Sequence, residues 1–253
     1  MKRAVSVSIG SSQRDKSVEI NLLGERVLLE RIGTDGDMEK AALLYQELDG
    51  QVDAFGVGGA DLGILVDQKW YPFHSVKPMI RYVRKTPLVD GAGLKNTFEN
   101  RVAAFMDAQI GSYLKGKKKA LITIGTDRWG MTQSFLGADY ECVFGDLMFA
   151  LGLPIPVRTE NMLNLIAAVL TPLAGRLPFE WIYPVGEDQN KREPKFVRYY
   201  QRATVIAGDR HYVVRHMPED LEGKVLVTNT TTPADVDLFR ETGVNYLVTT
   251  TPV

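Results

Sequence analysis

The run Lys117–Asp146, KKKALITIGTDRWGMTQSFLGADYECVFGD, constrains the fold more than any other stretch of this chain. Ala120–Ile124 is an unbroken apolar segment that follows three lysines and stops at Gly125, the pattern of a short strand buried on both faces. Thr126-Asp127-Arg128-Trp129-Gly130 is a polar loop, Met131–Leu136 suits a short helix, and Glu141–Phe144 is a second strand closed by Gly145-Asp146. Strand, loop, helix and strand make a parallel crossover unit, and such sheets hold ligands outside the carboxyl ends of their strands. The 125–130 loop is therefore a candidate floor for a binding site. The plain alternative is a connection that holds nothing.

The last hundred residues repeat that logic. Thr204–Ala207 is a strand ending at Gly208-Asp209, Lys224–Val227 runs into Thr228–Asp235 (TNTTTPAD), Val236–Thr242 is a helix and Tyr246–Val248 a last strand. Runs 120–124, 204–207, 224–227 and 246–248 are predicted to lie parallel in one sheet. Upstream, Ala4–Ile9 and Val52–Val57 read as strands, Val18–Leu22 with Arg26–Arg31 and Leu62–Val66 with Lys69–Phe73 as hairpins, and Pro87–Val89 as a short strand. Met38–Leu48 and Ser75–Lys85 are predicted helices. Leu94–Leu114 carries one apolar stripe, which predicts a single helix of roughly 20 residues and about 30 Å. The fold class expected is α/β and two-lobed. Residues 1–115 form a smaller α/β substrate lobe ending in that linking helix, and 116–253 a doubly wound, Rossmann-like lobe with a parallel sheet.

Composition narrows the function classes. A formal net charge of -1 gives no overall pull toward nucleic acid or an acidic membrane. The one cysteine, Cys142, excludes a disulfide frame within the chain. No apolar run reaches the ~18 residues of a membrane span, and Met1-Lys2-Arg3 leads straight into a strand. The expectation is a cytoplasmic protein with a small-molecule substrate, no nucleic-acid partner and no membrane.

Several segments carry candidate chemistry. Asp90-Gly91-Ala92-Gly93-Leu94-Lys95-Asn96-Thr97 sets a lysine at a helix start, where amides and an ammonium suit anionic or oxygen-rich ligands; a capped helix with a surface lysine is the bland reading. Asp90, Asn96 and Thr97 are thus candidate substrate contacts. Gly56-Val57-Gly58-Gly59-Ala60 lacks the third glycine of a dinucleotide loop and reads as a tight turn. In the opening loop, Asp127 suits a hydroxyl, Arg128 an anion and Trp129 a flat ring. Gly125 and Gly130 flank them, and Asp146 follows Gly125 by 21 positions, close to the ~20 at which an acid reads a ribose. Asp146 equally suits a cap for a helix at Leu147. Asp209 and His211 suit a polar site wall, with no third ligand nearby to make a metal site. Asn229 and Thr230 suit phosphate or ribose contacts, or else their loop is only the lead-in to an N-cap at Thr232.

GVGGADLGI (56–64), VDGAGLKNT (89–97), FGDLMFALGLP (144–154), IAGDRHY (206–212) and KVLVTNTTT (224–232) resemble a bacterial protein family labelled quinate 5-dehydrogenase, of the shikimate/quinate dehydrogenase type. True members of that type pair a lysine with the aspartate of an Asn-Thr-Asp segment. Lys95 and Thr126-Asp127, 32 positions apart, are similar in type and order, although Gly125 stands where the asparagine would. The resemblance implies an NAD(P)-dependent oxidoreductase of a polyhydroxy ring acid, with Lys95 and Asp127 catalytic and NAD or NADP as cofactor. Gly125, Arg128, Gly130, Asp146, Asn229 and Thr230 would then face the cofactor. A second reading is a non-redox module that binds a nucleotide or phosphorylated metabolite at the same helix starts. A third is an interaction protein that dimerises through the apolar helix 160–174 and the Trp181 region.

Overall fold

The computed structural model describes residues 1–177 and 192–251. It divides into two compact units. One comprises Met1–Ile64, Trp70–Gly93 and Leu170–Asp188; the other comprises Leu65–Lys69, Leu94–Val169 and Gln189–Val253. The division after Gly93 corrects the expected boundary at 115–119, and the Trp181 region lies outside the described residues.

In the first unit, β1 (Lys2–Ser8), β2 (Lys16–Leu22), β3 (Glu25–Gly33), β4 (Ala54–Gly58) and the short β7 (Leu88–Val89) form one sheet in the order β2-β3-β1-β4-β7. β2 and β3 are the expected antiparallel hairpin, turned by Leu23 and Gly24 at positive φ, while β1 runs parallel to both β3 and β4. Helix α1 (Met38–Leu48) starts at Asp37, whose carboxylate accepts from the Lys40 amide at 2.8 Å. It buries Ala41, Ala42, Tyr45 and Leu48, and of these Ala41, Tyr45 and Leu48 pack with Val5, Val7, Phe55 and Val57. β5 (Gly63–Val66) and β6 (Lys69–Pro72) form the second hairpin. The helix expected over 75–85 is only a 3-10 turn, His74–Ile80, since Pro78 within it has no amide to donate.

The second unit holds β8 (Lys119–Ile122), α4 (Trp129–Gly137), β9 (Glu141–Phe144), α5 (Glu160–Ala174, continuing into residues of the first unit) and α6 (Val197–Arg202). After these come β10 (Val205–Ala207), α7 (Arg210–His216), β11 (Val225–Thr228), α8 (Pro233–Glu241) and β12 (Tyr246–Thr249). The five strands are all parallel, in the order β12-β11-β10-β8-β9, so the four runs expected to share a sheet do so. Strand order reverses between β8 and β10. Leu121, Ile206, Leu226 and Phe239 pack in its core with Tyr199, Tyr200 and Val213.

The single long helix over 94–114 is not formed. Helix α2 (Ala92–Thr97), a 3-10 turn at Glu99–Arg101 and α3 (Val102–Leu114) replace it, with Ile110 non-helical inside α3. The stripe splits accordingly: Val102, Met106 and Leu114 are buried, whereas Leu94, Phe98 and Phe105 are exposed. Part of the reason is Glu99, a carboxylate drawn into the interior by an arginine described below. Among the described residues no helix is long and apolar enough to cross a membrane.

Candidate functional site

Register sets Ile122 beside Ala207 on one side and Phe144 on the other. The segments leaving these strands therefore emerge together: Thr123–Arg128 after β8, Gly208-Asp209 after β10 and Gly145-Asp146 after β9. Gly208 has φ +146° and lies so close to Thr123 that any added Cβ would strike the threonine hydroxyl oxygen. Only glycine lets the chain leave β10 at this point.

Asp146 braces the loop after β8. Its Oδ2 accepts from the Gly125 amide at 2.9 Å, and its Oδ1 accepts from the Thr126 amide at 2.9 Å and the Thr126 hydroxyl at 2.6 Å. A Cβ at Gly125 would lie 2.9 Å from the Phe144 ring and 3.3 Å from Asp146 Oδ2, so the turn is tightly fitted. Burial pushes the Asp146 carboxyl up, with the three donated hydrogen bonds opposing that.

With the loop fixed, Arg128 turns inward. Its guanidinium donates to Glu99 Oε1 at 2.7 Å and to Asp209 Oδ2, and its Nε lies 3.4 Å from Asp127 Oδ2. Arg128, Glu99 and Asp209 are each 4% exposed or less. Thr250 adds a donor at 3.4 Å to Glu99 Oε1, leaving Glu99 Oε2 buried without a hydrogen-bond partner. Burial pushes the Glu99 carboxyl up, an effect that Arg128 offsets only in part. Burial acts the same way on Asp209, but Arg128, aided by His211, outweighs it and holds that carboxyl below the usual range. Asp209 also accepts from the His211 amide at 2.9 Å, capping α7, and from Asn229 Nδ2 at 3.0 Å.

At the outer side of this network Lys95 Nζ meets Asp127 Oδ1 at 3.3 Å, the two side chains being 18% and 13% exposed. The two residues that the sequence paired, 32 positions apart, are thus in contact. Close packing fixes α2 against the site, because a Cβ at Gly130 would run into the Lys95 carbonyl oxygen. Tyr212, half-buried, lies within electrostatic reach. Burial, and then Asp127 and Asp209, push its phenol up, so it stays protonated at neutral pH.

Other expected contacts resolve differently. Arg128 was expected to hold an anion, yet its guanidinium is committed to Glu99 and Asp209. Gly130 is not in a loop but in the first turn of α4, where its job is close packing. Asp146 neither reads a ribose nor caps a helix at Leu147, since the loop amides occupy both oxygens and Gly145 precedes a short π-helical turn at 146–150. Asn229 joins the site by accepting from the Arg210 amide at 3.1 Å while donating to Asp209, whereas Thr230 is exposed. His211 is half-buried, its Nδ1 3.4 Å from the Arg210 guanidinium. Asn96 is half-buried and Thr97 exposed on α2. In the first unit, Asp90 accepts from the Leu62 amide at 2.9 Å and the Ala92 amide at 3.1 Å, the work of a turn brace.

The turn expected to cradle NAD or NADP does not fit a pyrophosphate. Its two leading amides donate to Asp146, and three glycines in the required spacing are missing. The start of α8 is closed too. Thr232 and Asp235 form a reciprocal capping box, and Asp235 pairs with Arg210, which helps hold its carboxyl down against burial. No group of three or more metal-ligating side chains occurs among the described residues. A shallow depression of about 790 Å³ lies at the opposite, amino ends of β8 and β9. It is lined by residues such as Lys118, Lys119, Asp107 and Glu141, and gathers none of these site residues.

Glu99 and Tyr212 were missed from the sequence. Glu99 had a signal, since it follows Lys95 by four positions, the spacing at which helical side chains meet. Tyr212 had none beyond its place beside His211.

Residues 3–90 match a model described as Domain of unknown function (DUF8753), and residues 93–253 one described as Domain of unknown function (DUF8754). No curated protein and no solved structure matches the chain. The two matches meet where the two units divide, and the second covers well over half the chain, from Lys95 through every strand of the parallel sheet. The chain belongs to the DUF8754 family.

Proposed function

We propose that the second unit is a doubly wound, Rossmann-like lobe of an enzyme in which Lys95 and Asp127 manage the proton of a substrate hydroxyl. The reaction class is that of an NAD(P)-dependent oxidoreductase acting on a secondary alcohol of a polyhydroxy ring acid such as quinate or shikimate. The observation that carries this reading is the 3.3 Å contact between Lys95 Nζ and Asp127 Oδ1, partly open to solvent. It lies on the loop after β8, beside the reversal of strand order at which doubly wound sheets bind ligands.

Roles follow from the chemistry of the groups. Lys95 supplies the acid and base, since its ammonium carries three hydrogen-bond donors and can give up one proton to become an amine. Asp127 fixes the direction of the ammonium. The Arg128 Nε, 3.4 Å from Asp127 Oδ2, steadies that carboxylate from behind, and the Tyr212 phenol is a neutral donor for a second substrate oxygen. The implied NAD or NADP has no seat on the amides of 125–126. The non-redox phosphometabolite reading needs helix starts, and Asp90, Asp209 and Asp235 already accept from amides at the starts of α2, α7 and α8.

Lys95→Ala tests the proposal. Quinate and shikimate oxidation is followed by the absorbance of reduced NAD or NADP, alongside calorimetry with both cofactors. The expected loss is ~10²–10⁴-fold in turnover with little change in ligand affinity. A module that merely binds an anion through Lys95 would instead lose about 10- to 150-fold in affinity. No reduced cofactor from any ring polyol, together with no nicotinamide binding by the wild type, sinks the dehydrogenase.

A further inference from the structure

We infer that the Asp146 carboxyl group is built into the β8–α4 turn as the acceptor for its amides and so bars a ligand phosphate from that turn. This rests on the doubly wound reading of the second unit but not on the roles of Lys95 and Asp127. In such a lobe the first turn after the central strand offers its amides to a ligand phosphate. Here the amides of Gly125 and Thr126 and the Thr126 hydroxyl all donate to one carboxylate, at 2.9, 2.9 and 2.6 Å. These three donors meet the two carboxyl oxygens, a set that suits an acceptor group.

The occupant is fixed by the fold. Asp146 is 4% exposed and follows β9, the strand hydrogen-bonded to β8. The pocket around it is shaped to the carboxylate: Gly125 has no room for a side chain, and the Thr132 hydroxyl donates to the Gly125 carbonyl at 2.9 Å. A phosphate could enter only by expelling a side chain that is anchored in the turn directly after β9. The turn therefore rejects pyrophosphates and phosphorylated metabolites. A ligand that reaches Lys95 and Asp127 is recognised without the amides of Gly125 and Thr126.

Two measurements test this. In the wild type, backbone amide resonances of Gly125 and Thr126 are followed while NAD, NADP or ADP is added; no shift is expected at either. Asp146→Ala removes the occupant, and sodium formate is the probe. The variant should melt below the wild type and recover part of that loss in formate but not in sodium chloride of equal ionic strength. Wild-type melting should not respond to formate. Asp146→Asn, which keeps the volume, should show no formate effect. Shifts of the Gly125 and Thr126 amides with any of the three nucleotides overturn the inference, whether or not Asp146→Ala folds. So does a folded Asp146→Ala protein that ignores formate. Loss of turnover in Lys95→Ala moves neither readout, so the two proposals fail separately.

Discussion

Arg128→Met replaces a buried guanidinium with an apolar chain of similar length. It strands two carboxylates at once, because Glu99 and Asp209 both take their charge partner from Arg128, and all three residues are 4% exposed or less. Removing one member of a buried pair costs ~3–5 kcal/mol. At about 2–4 °C per kcal/mol for a chain of this size, melting should fall by roughly 6–20 °C. The deficit should depend on pH with a definite sign. In the wild type the Asp209 carboxyl lies below its ordinary value of 3.8, so its contribution is present above that pH and is lost only as the pH falls through the lower folded value. Without Arg128, burial governs both carboxyls: that of Glu99, already raised, rises further, and that of Asp209 rises above its unfolded value. Each group then costs stability at pH 8, and that cost disappears as the pH falls through the folded value toward the unfolded one. Thermal melts followed by circular dichroism at pH 8 and pH 4.5 should show the deficit shrinking at the lower pH. The triple variant Glu99→Gln, Arg128→Met, Asp209→Asn should recover much of the loss at pH 8. A melting point within about 2 °C of wild type, or a deficit equal at both pH values, would refute the view that charge burial organises this network.

Two further outcomes concern packing and titration. Gly130→Ala drives a methyl into the Lys95 carbonyl and should cost ~1–3 kcal/mol, whereas Gly137→Ala, in open space at the end of the same helix, should gain up to about 1 kcal/mol; denaturant midpoints of the two compare them directly. Burial holds the His216 ring below its ordinary value of 6.5, stacked on Phe149 and bonded to the Glu193 carbonyl, with Arg215, Lys195 and Glu193 the charged groups around it. Its contribution is therefore present above that value and lost as the pH falls through the lower folded one. His216→Asn should flatten the acid side of the stability profile below pH 6.5, and an unchanged acid limb would discount the ring.

The parallel sheet was legible because its strands are covered on both faces and so appear as short continuous apolar runs. Lys95 and Asp127 could be paired because they resemble a catalytic lysine–aspartate pair in type and order, and because each reads as lying at a turn beside a helix start. The interrupted helix over 92–114 could not be foreseen. Apolar residues three and four apart suit a 3-10 turn as well as an α-helix, so the stripe reads straight through Glu99. The Arg128 network was hidden because its partners lie 29 positions before it and 81 after it, and pairing over such distances is set only once strands align. Asp146 shows how one spacing supports two jobs. Twenty-one positions bring the chain to the end of the neighbouring strand, from which a carboxylate reaches either a ribose or the loop it left.

The Arg128 network also restricts the order in which this protein can change over generations. Loss of Glu99 leaves the guanidinium still held by Asp209, and loss of Asp209 leaves it held by Glu99. Loss of Arg128 first leaves two buried acids facing each other, a step costing a large share of the ~5–15 kcal/mol that keeps a domain folded. A lineage can therefore reach an uncharged interior here only by giving up an acid before the arginine. Positions 99, 128 and 209, scattered over more than a hundred residues, are thereby expected to change as one character.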